Sequence, residues 1–320
     1  MRVKLEDVCV RGSSNLKQSD VIDKTGEYPI YGAAGYIGNV DFYHQDQPYV
    51  AVVKDGAGIG RTSLYPAKSS VIGTMQYLLP KENVLPEYLC YVVKYMHLEK
   101  YFTGATIPHI YFKDYKKEEF NLDTLDRQKE IVNILGRIEC VISSRQQELQ
   151  KLDELIKARF VEMFGDPRTN SKGFETKNGS ELFKISNGKA VPNNKRFEEG
   201  IPAYGGNGIS WYTDDALCDK DTIVIGRVGF QSGNVHLVKG PVWITDNAMY
   251  ISDFYDDNLS LVFLCEMMEQ IDFTKHQDAG DLKKVTQKPF MEMKYIIPSK
   301  ELQSEYMDFV IQVNKSKLKE

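Results

Sequence analysis

Cysteine is sparse in this 320-residue chain: Cys9, Cys90, Cys140, Cys218 and Cys265 are scattered, odd in number and form no Cys-x-x-Cys pair. Neither a disulfide framework nor a zinc site is indicated, and free buried thiols in a reducing compartment are the expectation. The five histidines, His44, His97, His109, His236 and His276, contain no His-x-x-x-His pair, which argues against a catalytic metal. A methyltransferase would need a glycine-rich S-adenosylmethionine loop and an Asn/Asp-Pro-Pro-aromatic motif, and neither is present. Gly56-Ala-Gly-Ile-Gly60 is followed by Arg61-Thr62 without the spacing of a phosphate-binding lysine, so a tight turn between strands is expected there. Glu292-Met-Lys294 resembles one fragment of a nuclease arrangement, and a solvated strand is the expected setting for it. No self-sufficient active site is legible, and no cofactor is expected on this chain. No apolar run approaches the length needed to span a bilayer, and the start Met1-Arg2-Val3-Lys4-Leu5-Glu6-Asp7 lacks the apolar core of a signal peptide. A soluble, cytoplasmic protein with no membrane partner is expected.

Hydrophobic content of 42% with 27% charged residues suits a globular protein, and the length suggests two domains. The formal net charge of −5 decides nothing about nucleic acid, since whole-chain charge says little about one groove-facing surface.

An internal repeat organises the chain. Tyr28-Pro-Ile-Tyr-Gly32 returns as Ile201-Pro-Ala-Tyr-Gly205, an offset of 173 positions. Without a gap, that offset places Gly35 on Gly208, Lys54 on Arg227, Gly56 on Gly229 and Gly60 on Gly233, and it continues through Leu64 on Leu237, Thr74 on Asn247 and Tyr77 on Tyr250. Within each copy, Tyr49-Val-Ala-Val-Val53 and Thr222-Ile-Val-Ile225 read as strands ending in glycine turns. Ser70-Val-Ile72 and Val242-Trp-Ile244 read as a second strand pair, and helical patterns follow over 86–98 and 259–271. Each copy is therefore a mixed α and β domain.

Between the copies the pattern changes. Ile131, Leu135, Ile138, Ile142, Leu149, Leu152 and Ile156 fall at alternating spacings of three and four with one gap, a heptad seam. The spacing predicts one helix over 125–163, roughly 55–60 Å long at 1.5 Å per residue, ending where Gly165 supplies a cap and Pro167 forbids continuation. An amphipathic helix packed on one domain is the alternative to a coiled-coil spacer. A shorter version follows the second copy, with Gln303 on Gln128 and Val310 on Leu135.

Several pieces taken together resemble the specificity subunits of type I restriction-modification systems over essentially the whole chain. They are the two Pro-x-Tyr-Gly leads, Thr245-Asp-Asn-Ala-Met249, Gly104-Ala-Thr-Ile-Pro-His-Ile110, Leu125-Asp-Arg-Gln-Lys-Glu-Ile131 and Arg159-Phe-Val-Glu-Met-Phe-Gly-Asp166. The resemblance implies an α+β chain with target-recognition domains at 1–121 and 166–298, a coiled-coil-type spacer helix at 122–165 and a shortened second spacer at 299–320. It also implies a non-catalytic chain that reads a split, asymmetric site on double-stranded DNA, one domain per half-site. Two methyltransferase subunits would dock on the spacer and restriction subunits would join them; S-adenosylmethionine, ATP and Mg2+ would then be bound by those partners. The second copy has Asp278-Ala-Gly-Asp-Leu282 where the first has Phe102-Thr-Gly-Ala-Thr106, a diverged loop. The competing reading is a non-catalytic protein–protein scaffold with duplicated binding domains and a dimerising helix.

Base reading in the major groove uses Arg or Lys on guanine and Asn or Gln on adenine. In the first copy Lys54, Arg61, Lys68 and His109 are candidates, and in the second Arg227, Gln231, Asn234 and Lys288. Tyr31 and Tyr204 open equivalent turns, with Asn207 beside the latter. A solvated surface is the alternative for the polar residues, and packing is the alternative for the two tyrosines. Lys54-Asp-Gly-Ala-Gly against Arg227-Val-Gly-Phe-Gln keeps the frame and changes the side chains, as two different half-sites would require and as drift after duplication would also produce.

Overall fold

A computed structural model describes every residue except 22, 57, 105–107, 279, 281–282 and 319–320. The run 104–110 and the loop 278–282 singled out above lie partly outside the described residues, as does one position of the turn 56–60. The chain divides into two units, Met1–Ser144 and Arg145–Glu320.

In the first unit the strand Tyr49–Val53 is buried at all five positions, as suits a run with no charged side chain when both faces are covered. It lies inside a four-stranded antiparallel sheet ordered Cys9–Ser13, Met75–Pro80, Tyr49–Val53, Thr62–Tyr65. Val50, Val52 and Leu78 cluster with Leu89 and Val93 of the helix Pro86–Tyr95. Pro86 occupies that helix's first turn, where its missing N–H leaves no bond unmade. The alternate residues Tyr49, Ala51 and Val53 cluster with Tyr65, Val71 and Tyr77. A three-stranded sheet, Gly35–Val40, Tyr28–Gly32, Ser70–Val71, has its last strand parallel to the middle one. A two-stranded pair, Arg2–Lys4 with Glu119–Asn121, completes the unit's sheets.

The second unit repeats this scheme strand for strand. Its four-stranded sheet is Phe183–Asn187, Ala248–Phe254, Thr222–Gly226, Val235–Val238, and its three-stranded sheet is Gly208–Thr213, Ile201–Gly205, Trp243–Ile244. Glu175–Asn178 pairs with Lys294–Ile297, and the helix Leu261–Ile271 matches Pro86–Tyr95. The solvated-strand expectation for Glu292-Met-Lys294 needs correction: Pro289 lies in the first turn of a short helix, Lys288–Glu292, and only Lys294 enters the strand.

A buried glutamine shows how closely the copies correspond. Gln128 is fully buried; its Oε1 accepts from Leu85 N at 2.8 Å, and its Nε2 donates to Asn83 O at 3.0 Å and Asp123 O at 2.9 Å. Gln303 makes the same three bonds, to Ser260 N at 2.9 Å, Asn258 O at 2.8 Å and Pro298 O at 2.9 Å. Each of these pairs is offset by 175, not 173, so two residues enter the second copy between Tyr250 and Ser260.

The spacer helix is one 40-residue element, Leu125–Phe164. It ends at Gly165, whose φ of 73° suits a residue without Cβ and whose N–H donates to Val161 O at 2.8 Å. The seam is covered toward its ends: Ile131 packs on the first unit's core, while Leu152 and Ile156 pack in the second's. Ile138 and Ile142, in between, are 49% and 52% exposed. In the second unit Phe160 and Phe164 fill the space between Phe263 and Tyr306 of the helix Lys300–Lys317. The equivalent positions of the first unit, Tyr88 and Ile131, line an open groove of about 850 Å³ with Leu135. Among the described residues no helix is long and apolar enough to cross a membrane.

Candidate nucleic-acid interface

In each unit a glycine-bounded turn leaves the central strand of the four-stranded sheet and meets a returning loop. Lys54 N donates to Thr74 O at 2.9 Å and Ile110 N donates to Lys54 O at 2.9 Å. Arg227 has the same pair, Asn247 O at 3.0 Å and Val285 N at 3.0 Å, so the two cations hold equivalent backbone positions. Gly56 N donates to Pro108 O and Gly229 N to Lys283 O, again in equivalent places. Gly60 and Gly233 explain why this frame keeps its glycines. Both have positive φ, 80° and 96°, and a Cβ would lie 2.7 Å from Glu99 N or 2.6 Å from Thr274 N. Gly233→Ala should therefore destabilise the second unit by about 1–3 kcal/mol from backbone strain; unchanged thermal unfolding would refute this account of the glycine.

Around that shared frame the side chains differ. In the first unit His109 Nδ1 bonds Asp55 Oδ1 at 2.7 Å, and Lys54 Nζ lies 3.9 Å from Asp55 Oδ2, so the structure joins Lys54 and His109 through a carboxylate absent from the sequence reading. The backbone bridge Asp55–His109 recurs in the second unit as Val228–Lys284. Lys284, which is exposed, is thus the equivalent of His109. Sequence reasoning missed it because the 173 offset of the turn was carried on to Leu282, although Gln128 and Gln303 stand 175 apart, the offset that reaches Lys284. The same pairing moves the loop comparison by one: Asp278 matches Thr103, not Phe102, because Thr103–His109 and Asp278–Lys284 are the corresponding bonds.

The other candidates divide. Arg61 Nη1 donates to Ala33 O at 3.0 Å, tying its turn to the Tyr-Gly lead. Tyr31 stacks on Tyr65 with centroids 3.9 Å apart and planes 14° from parallel, a packing role. Burial raises the Tyr31 phenol above its ordinary range, with Tyr65 and Tyr36 adding to the effect. Tyr204 also packs, against a cluster that includes Val242 and Ile244. Lys68 is exposed at φ 54° in the turn before Ser70, with no bond to the other candidates. Lys288 faces Glu292 at 3.7 Å along its own short helix.

In the second unit Asn207, Ser210, Val228, Phe230, Gln231 and Asn247 line one cleft of about 330 Å³. Asn234 Nδ2 donates to Gln231 Oε1, which orients that amide. Asn247 and Phe230 were not candidates from sequence. Asn247 carried a signal in its place opposite Thr74, but nothing there marked it as facing the cleft.

The cluster holds cations, amides and one aromatic ring on turns, with no activated nucleophile. Among the described residues no group of three or more His, Cys, Asp or Glu is placed to hold a metal. The side chains gathered there offer hydrogen bonding and apolar contact.

Comparison with known proteins follows the same line. The family model for the type I restriction modification DNA specificity domain matches residues 1–154 and 171–320. The type I restriction enzyme EcoprrI specificity subunit of Escherichia coli is 26% identical over 185 residues, a match covering 55% of this chain and 45% of that protein's length. Among solved structures, the type I restriction-modification S subunit from M. genitalium is similar in fold, with a TM-score of 0.65 at 17% identity, covering 99% of this chain and 90% of that one. A chain from work on complex assembly and conformational transition of the type I R-M system has a TM-score of 0.53 at 14% identity, with coverage of 99% and 90%.

Proposed function

Because the chain belongs to the type I restriction-modification DNA specificity family, we propose that it reads a split, asymmetric site on double-stranded DNA, one unit per half-site, and performs no chemistry itself. The observation that carries this is the pair of turns with equivalent backbone hydrogen bonds and different side chains: Lys54, Asp55 and His109 in one unit, Arg227, Val228 and Lys284 in the other. A common backbone frame with exchanged hydrogen-bonding groups is what two half-sites of different sequence demand. Methyltransferase subunits dock along the helix Leu125–Phe164, where Ile138 and Ile142 stand half-exposed. Restriction subunits complete the assembly, S-adenosylmethionine, ATP and Mg2+ reside on those partners, and the complex works in the cytoplasm.

Co-expression with the cognate methyltransferase subunit in a methylation-free host, followed by mapping of N6-methyladenine, tests the reading. A gapped two-part motif that appears only with this chain is expected. DNA affinity of the complex should also fall by orders of magnitude between low and physiological salt, as phosphate contacts release counterions. A salt-insensitive, sequence-blind chain would instead be the scaffold. Arg227→Ala should cost about 1–3 kcal/mol of base discrimination, seen as relaxed methylation at one half-site with the other intact. Equal loss at both half-sites would remove Arg227 from base reading.

A further inference from the structure

Phe230 is 86% exposed, at the outer part of a turn that is closed on every side. Gly226 N donates to Asn234 O at 2.8 Å, Gly233 N to Gly226 O at 2.8 Å and Ser232 N to Gly229 O at 3.0 Å. Gln277 Nε2 donates to Ser232 O at 2.7 Å and Phe230 O at 3.3 Å, and Gly229 N donates to Lys283 O at 2.8 Å. The backbone that carries the ring is therefore braced, and the ring itself stands exposed. Its neighbours in the cleft are Asn207, Gln231 and Asn247, side chains whose paired donor and acceptor match the N6 and N7 edge of adenine. Position 57, which the 173 offset places opposite Phe230, is alanine, so the two copies differ sharply here.

On the proposed DNA-reading role, we propose that Phe230 is a specificity-determining residue of the second unit, contacting the 5-methyl group of a thymine whose partner adenine is read by the cleft amides. The thymine methyl is the apolar feature a base pair presents in the major groove. A phenyl ring beside an amide cluster is complementary to an A·T pair and mismatched to G·C, which offers no methyl. A lysine or a second amide at this position would read hydrogen bonds instead. The difference makes one half-site depend on a methyl group more than the other.

The test uses the complex of the full chain with its methyltransferase subunits, on duplexes carrying the motif found by methylation mapping. Each thymine of either half-site is replaced in turn by uracil, which removes only the 5-methyl group. At one position uracil should weaken wild-type binding about fourfold, the size expected for one buried methyl group. Phe230→Ala should show that loss on thymine DNA and no further loss with uracil, while Phe230→Leu retains part of the discrimination. Because the ring is exposed in the free chain, Phe230→Ala should leave the unfolding midpoint unchanged, so a binding loss reports contact and not folding. The proposal is overturned if no uracil duplex weakens binding, if Phe230→Ala binds as wild type, or if it loses affinity equally on thymine and uracil duplexes. If wild-type complex fails to prefer its motif over scrambled DNA, the DNA-reading role itself fails. Specific binding without a uracil effect removes only the thymine contact.

Discussion

Phe164→Ala is expected to destabilise the second unit by about 3–5 kcal/mol, the usual cost of truncating a buried phenylalanine. Phe164 is the last residue of the spacer helix and is fully buried. Its ring lies 5.0 Å from Phe160, 4.9 Å from Phe263, 5.6 Å from Tyr306 and 6.0 Å from Phe174, in edge-on or tilted contacts. Alanine would leave a cavity bounded by four rings that belong to three helices and a loop, and such rigid walls relax poorly. Hydrogen exchange read segment by segment locates the damage: protection should drop over the core of 145–318 and hold in the sheets of 1–144. Ile138→Ala on the same helix, half-exposed in the free chain, should change stability by no more than about 0.5 kcal/mol. Equal losses from the two substitutions would show that the helix end is a spacer segment and not a core element.

Gln128→Leu should cost the first unit about 3–5 kcal/mol despite preserving most of the volume. Leucine leaves Leu85 N–H and the carbonyls of Asn83 and Asp123 without their partner; these bonds are part-buried, so each group costs toward the lower end of the about 1–3 kcal/mol of a buried unsatisfied group. Denaturant unfolding measures the loss; a cost below about 1 kcal/mol would mean water replaces the amide. Gln128→Glu adds a pH signature. The carboxylate would face two carbonyl oxygens in a buried site, so its folded-state pKa must lie above the unfolded value of about 4.3. A raised acid pKa gives stability that is highest below the unfolded pKa and falls as pH rises through it to the folded one. The glutamate variant should therefore weaken from pH 4 toward pH 8 relative to wild type. A flat difference across that range would contradict the buried, carbonyl-facing placement.

The two glutamines also mark where reading the chain succeeds and where it stops. Their correspondence is legible by alignment, since each stands four residues into a helix that follows the same kind of domain. Their role is not, because an amide that bridges two loops leaves no periodicity in the sequence. The interface residues behave the same way. Lys54 and Arg227 were found by a constant offset, and the structure gives them identical backbone partners. Lys284 was not among the candidates, because the 173 offset that pairs Lys54 with Arg227 no longer holds after the two inserted residues. Arg61 and Tyr31 carry suitable chemistry on suitable turns, but an intra-unit hydrogen bond and a stacked ring engage them.

From the sequence alone came the duplication, the strands that end in glycine turns, the glycine frame of those turns and both ends of the spacer helix. These are local properties: β-branched runs, positive φ and the 3.6-residue period each act over a few neighbouring residues. Tertiary structure decided which cation faces which carboxylate, which amides share a cleft with Phe230, and how one heptad seam is shared. Ile131 serves one core, Ile156 the other, and Ile138 and Ile142 stay half-exposed between them. A seven-residue pattern records that apolar side chains line one face of a helix; what covers that face depends on residues brought together from more than a hundred positions away.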